Sequence, residues 1–184
     1  SPRFTADHWR LIVCYGIFGI GYILPATFLP AMARNQLGDP ALFGWVWPVF
    51  GVAAALSTLL VARFAGHFPP RRIWALAAVV MALGVASPVL SHGMASLMVS
   101  ALCVGGTFMV MTMAGMQEAR ARGGARLIAA MTSSFAAGQI AGPLLVNLAH
   151  GSRGWPSLAG ASLWRASAVL LLPRAPAREG SDGI

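Results

Sequence analysis

The chain has no lysine and only five acidic side chains in 184 residues: Asp7, Asp39, Glu118, Glu179 and Asp182. Charged residues amount to 10%, against roughly a quarter in a soluble domain, which excludes an ordinary water-soluble fold. The two cysteines, Cys14 and Cys103, each stand alone inside an apolar run. They match neither a metal-ligand spacing nor a disulfide framework, and each reads as a small packing residue. Catalytic signatures are missing too: the sequence holds no G-x-S-x-G, no H-E-x-x-H and no Cys/His pair at one depth, so no enzyme, metal site or cofactor is expected. The net charge of +8 comes from thirteen arginines spread singly or in short groups. Without a clustered basic face they do not describe a nucleic-acid-binding surface.

What is present is apolar: hydrophobic residues make up 57% of the chain and mean hydropathy is +0.70. At about 20 apolar residues per membrane crossing, the sequence predicts six transmembrane helices, over 11–33, 42–62, 73–91, 94–117, 127–149 and 156–172. Short connections carrying Gly, Pro or charge separate them, at 34–40, 63–72, 91–93, 118–126 and 150–156. The first residue is not Met, and the first apolar run is too long and interrupted for a signal-peptide core. The chain is therefore expected to be a fragment or a processed product that keeps its first span.

Short loops rich in arginine stay in the cytoplasm, and the arginines are lopsided. Arg3, Arg10, Arg63, Arg71, Arg72, Arg120, Arg122, Arg126, Arg174 and Arg178 fall on one side of this topology, against Arg34 and Arg153 on the other. Both termini are thus expected inside, in a bacterial inner membrane. Trp9, Trp45, Trp74 and Trp155 sit near span ends and read as interfacial anchors. Arg165 falls within the last span, where it would snorkel, face a cavity as an anion site, or mark a departure from a normal helix.

The polar groups inside the spans are few. No carboxylate or imidazole lies mid-membrane, since His8, His67, His92 and His150 are at or beyond span ends; a proton relay, which needs such groups in the interior, would have to come from residues outside this chain. The first span is broken up by Gly16, Gly19, Gly21, Pro25 and Pro30, and Gly105-Gly106 interrupts the fourth at a matching depth. Interruptions at corresponding positions of two inverted repeats point to a midplane binding region, so the six spans are expected to form a 3+3 inverted repeat. Tyr22, Pro25, Thr27, Trp47, Thr107 and Gln139 are the expected substrate-lining residues. Ser57, Thr58 and Thr112 are weaker choices, because Ser and Thr often bond their own helix. Ser134, Gly138 and Gly142 have small-xxx-small spacing, which admits another helix closely.

Two segments, Gly21-Tyr22-Ile23-Leu24-Pro25-Ala26-Thr27-Phe28-Leu29-Pro30-Ala31 and Leu42-Phe43-Gly44-Trp45-Val46-Trp47-Pro48, resemble the YbfB/YjiJ group of the major facilitator superfamily. Gly105-Gly106-Thr107-Phe108-Met109 and Phe135-Ala136-Ala137-Gly138-Gln139-Ile140-Ala141-Gly142-Pro143 are similar to its tenth and eleventh helices. The resemblance implies that the six spans are helices seven to twelve, the C-terminal half of a twelve-helix transporter whose N-terminal half is the partner. It also implies a cytoplasmic basic loop carrying Arg63, Arg71 and Arg72, which departs from the superfamily pattern in having no acidic residue. The function expected is secondary transport of a small organic solute by alternating access. The alternative is a truncated, non-transporting six-helix module that dimerises or packs against a partner through the small-residue face.

Overall fold

A computed structural model describes residues 4–37, 41, 44–64, 66–149 and 155–171. Their regular structure is entirely helical: α1 (Ala6–Leu37), α2 (Val46–Phe64), α3 (Pro70–Leu90), α4 (Met94–Ala149) and α5 (Trp155–Leu171). The starts are set locally. Thr5 Oγ1 accepts the His8 amide at 3.3 Å, and His8 Nδ1 accepts the Thr5 amide at 3.2 Å, a reciprocal cap of the kind Ser/Thr and Glu usually make. Pro70 opens α3 behind an extended Pro69, where its missing N–H costs nothing.

Five helical elements stand where six were expected, and the difference lies at 118–126. That stretch is helical apart from Gly124, whose φ of 58° and ψ of −149° occupy a region open in practice only to glycine. The chain folds back there. A Cβ on Gly115 would lie 3.7 Å from Met131 Cε, although sixteen residues of straight helix would hold the two about 24 Å apart. We refer to 94–123 and 125–149 as the first and second arms of α4.

Among the described residues four helices, α1 to α4, are long and apolar enough to cross a membrane. α5, with 17 residues, is shorter than the usual crossing of about 20. α1, α3, α5 and both arms of α4 enclose one core, with Phe18, Leu24, Trp74, Met81, Leu127, Met131 and Leu163 all but fully buried. α2 is different: it packs along α4 and leaves Val52, Leu56, Leu59 and Leu60 open on its far side.

Three expectations need correction. Trp74 is not an interfacial anchor: it is fully buried and meets Tyr15 edge-on at 5.6 Å, whereas Trp9 and Trp45 are exposed. Trp155's side chain lies outside the described residues. Gly105-Gly106 does not break its helix, because among the described residues only Gly93 and Gly124 have positive φ. Gly105 is instead a packing position, where a Cβ would collide with the carbonyl oxygen of Phe50 on α2. α1 likewise runs as helix through Pro25 and Pro30.

Candidate functional site

Tyr15, Phe18 and Tyr22, spaced three and four apart, fall on one face of α1. Phe108 from the first arm of α4 and Phe135 from the second close over them. Tyr22 stacks on Phe108 with ring centres 4.0 Å apart and planes at 18°, and Phe18 meets Phe135 at 5.1 Å. Such pairs contribute roughly 0.5–1.5 kcal/mol each beyond their buried area. The cluster grades from core to surface: Tyr15 and Phe18 are buried, whereas Tyr22, Phe108 and Phe135 are half-buried. The Tyr22 hydroxyl has no hydrogen-bond partner among the described residues, and neither does the half-buried amide of Gln139, one turn beyond Phe135.

Small residues bring these rings together. A Cβ on Gly16 would strike Ser134, and one on Gly138 would strike the Gly16 carbonyl. Gly142 faces Ile23, whose methyl would lie 2.7 Å from an added Cβ. The Ser134-Gly138-Gly142 face is thus covered by α1 within the chain. The close approach sets the depth at which Phe135 meets Tyr22.

Pro25 and Trp47 come together in a small apolar crevice with Ala26, Pro30, Phe50 and Val104, on the α2 side of α1. Thr27 is exposed. Thr107 is buried and points away from Tyr22, donating to the Cys103 carbonyl at 2.6 Å; its neighbour Phe108 takes the place beside Tyr22. Ser57 and Thr58 donate to Ala54, and Thr112 to Phe108, all within their own helices. Of the six expected lining residues, the structure therefore assembles Tyr22 and Gln139 along one stretch of α1 and α4, pairs Pro25 with Trp47 nearby, and leaves Thr27 and Thr107 elsewhere.

A charged cluster was not foreseen. Arg71 Nη2 donates to both carboxylate oxygens of Asp7, at 3.0 and 2.9 Å, and Arg122 Nη1 reaches the same carboxylate at 3.1 Å. Arg122 Nε donates to Glu118 Oε2 at 2.5 Å, and Arg71 Nε lies 3.9 Å from Glu118 Oε1. The His8 ring joins through Nε2, which donates to the Arg122 carbonyl at 3.3 Å. Asp7 and Glu118, expected in a tail and a loop, are helical, and Glu118 is buried. Arg71 and Arg72 stand in the first turn of α3 rather than in a loop, and Arg63 in the last turn of α2. The Glu118–Arg122 spacing and the Asp7–Arg10 spacing, an ion pair at 3.9 Å, were the readable signals; the other contacts join residues 64 and 115 positions apart.

Arg165 is exposed on α5 beside the exposed Trp164. Asp39, His150, Arg153, Glu179 and Asp182 lie outside the described residues.

No curated protein matches the chain, and no solved structure does. A family model described as an uncharacterised MFS-type transporter, YbfB, matches residues 2–175. With apolar helices long enough to cross a bilayer and a match along nearly its whole length, this integral membrane protein belongs to the YbfB family of MFS-type transporters.

Proposed function

We propose that this chain is one half of a secondary transporter, carrying a small, uncharged organic solute across the cytoplasmic membrane by alternating access. The two arms of α4 supply two crossings and α5 the last, giving six helices in a 3+3 inverted repeat with both termini inside. The bundle rocks against an N-terminal half of the same protein, and α2's open apolar side is a surface for that half or for lipid. No catalytic step is involved.

The observation that carries the reading is the half-buried aromatic cluster of Tyr22, Phe108 and Phe135, with the Tyr22 hydroxyl and the Gln139 amide left without partners. Stacked rings offer flat apolar area, and the two open polar groups fix orientation, a combination suited to a small organic ligand. Among the described residues neither carboxylate nor imidazole stands beside them, which disfavours a bare ion. Pro25 and Trp47 extend the same wall.

Full-length protein reconstituted into liposomes is expected to show solute-dependent flux that Tyr22→Ala and Gln139→Ala reduce while folding is retained. Unchanged flux in both would remove the site assignment. A non-transporting module has less to rest on, because the small-residue face that would serve a partner packs on α1.

A further inference from the structure

A second groove, on the flank of the bundle away from the aromatic cluster, has no part in the transport reading. It runs between α3 and α4 with a volume of about 490 Å³; Phe68 and Arg72 stand at one end, and Ile73, Ala77, Val80 and Val110 form its walls. A smaller crevice under Leu60 and Val61 joins it by sharing Phe68 and Ile73. The groove begins at the arginine-bearing end of α3. The eight steps of helix from Arg72 to Val80 carry it about 12 Å, most of the depth of one leaflet in a hydrocarbon core roughly 30 Å thick.

The lining states what fits. Thr107 is the one polar side chain inside, and its hydroxyl already donates to Cys103 at 2.6 Å. Among the described residues the walls are therefore mostly apolar toward an occupant. At the mouth the two adjacent arginines differ. Arg71 is pulled inward onto Asp7 and Glu118, whereas Arg72 is exposed and its guanidinium meets no acidic group among the described residues. A cation at headgroup level above an apolar slot about one leaflet deep complements an amphiphile with an anionic head and a hydrocarbon tail. Basic pockets between transmembrane helices on the cytoplasmic side recognise such lipids.

We propose that the α3/α4 groove is a binding site for one anionic phospholipid of the arginine-side leaflet, its phosphate on Arg72 and an acyl chain along Ile73, Ala77, Val80 and Val110. The site depends on the membrane reading of the chain but not on its transport activity.

Native mass spectrometry of the full-length protein, titrated with phosphatidylglycerol, phosphatidylcholine or inorganic phosphate, tests this. The wild type is expected to retain one phosphatidylglycerol with at least five-fold preference over phosphatidylcholine. Arg72→Gln should bring the two lipids level, and Arg72→Lys should keep part of the preference. Val80→Trp, which fills the slot from a position 42% exposed, should lower retention of both lipids several-fold, and inorganic phosphate should not compete. Thermal unfolding compares the folding of all three variants, and the graded response of Arg72→Lys carries the test if either other variant unfolds. Equal retention of both lipids by the wild type would overturn the proposal. So would an unchanged preference in Arg72→Gln or Arg72→Lys, full retention in Val80→Trp, or displacement by phosphate.

Discussion

Arg71 grips Asp7 with a single nitrogen, Nη2, which donates to both carboxylate oxygens at 3.0 and 2.9 Å. The contact joins the start of α3 to the start of α1, and Glu118 and Arg122 extend it to the end of α4's first arm. With side-chain exposures of 11% for Arg71 and 25% for Asp7, the pair lies between a surface bridge, worth about 0–1 kcal/mol, and a buried one, whose breakage costs about 3–5 kcal/mol. Arg71→Gln is therefore expected to cost about 1–3 kcal/mol and to lower the melting temperature by several degrees. Asp7→Asn should cost a similar amount. In a double-mutant cycle the two should be clearly non-additive; additivity would mean that the contact contributes nothing.

Gly105 and Gly106 are adjacent in sequence and opposite in tolerance. A Cβ on Gly105 would collide with the Phe50 backbone, while one on Gly106 would find its nearest atom, the Ala53 oxygen, at 3.9 Å. Gly105→Ala is expected to destabilise by more than about 2 kcal/mol through overpacking against backbone that cannot yield. Gly106→Ala should fall within about 0.5 kcal/mol of wild type or gain slightly from helix propensity. Paired melting curves decide it, and equal effects would refute the α2–α4 contact.

Much of this fold was legible in advance, and the reasons are local. Apolar run length located the helices to within a few residues, and the spacing of Ser134, Gly138 and Gly142 announced a close helix contact. Trp74 was misread because its position near a span end says nothing about which way the ring turns, and it turns onto Tyr15. Gly105 was misread because a glycine placed for close approach and one placed for a broken helix look alike in a string of letters. The Asp7–Arg71–Arg122–Glu118 cluster was invisible except for the local Glu118–Arg122 and Asp7–Arg10 spacings, since long-range ion pairing leaves no periodicity. The aromatic face of α1 was open to reading by spacing alone, but its partners Phe108 and Phe135 emerge only when α4 folds back.

At the proposed solute site the hydroxyl and the ring of Tyr22 separate experimentally. Tyr22→Phe keeps the stack on Phe108 and removes the donor, so transport is expected to survive with KM raised about ten-fold, the worth of one hydrogen bond of about 1.4 kcal/mol. Tyr22→Ala removes both and should reduce flux further. Concentration dependence of uptake into proteoliposomes gives the comparison; identical KM values for Tyr22→Phe and wild type would show that the hydroxyl does not touch solute.

Gly124 holds φ at 58° and ψ at −149°, a conformation that costs a non-glycine residue about 1–3 kcal/mol. Gly124→Ala is expected to be destabilising by that amount even though a methyl there would meet no atom within 4 Å. Gly123→Ala offers the contrast, since its φ is ordinary but its added Cβ would lie 2.6 Å from the Cβ of the buried Leu127, an atom the backbone fixes, so the cost there is crowding. Chemical denaturation of both variants distinguishes strain from crowding.

The fold-back at Gly124 also bears on how the protein is made. Only one residue leaves the helix between the two arms, too short a link for one arm to cross and settle while the other waits in water. Arg120, Arg122 and Arg126 crowd that link, and translocating them would be costly. Under the topology we propose, membrane insertion treats residues 94–149 as a single hairpin, delivered sideways into the bilayer with its tip held back on the side where the ribosome stands.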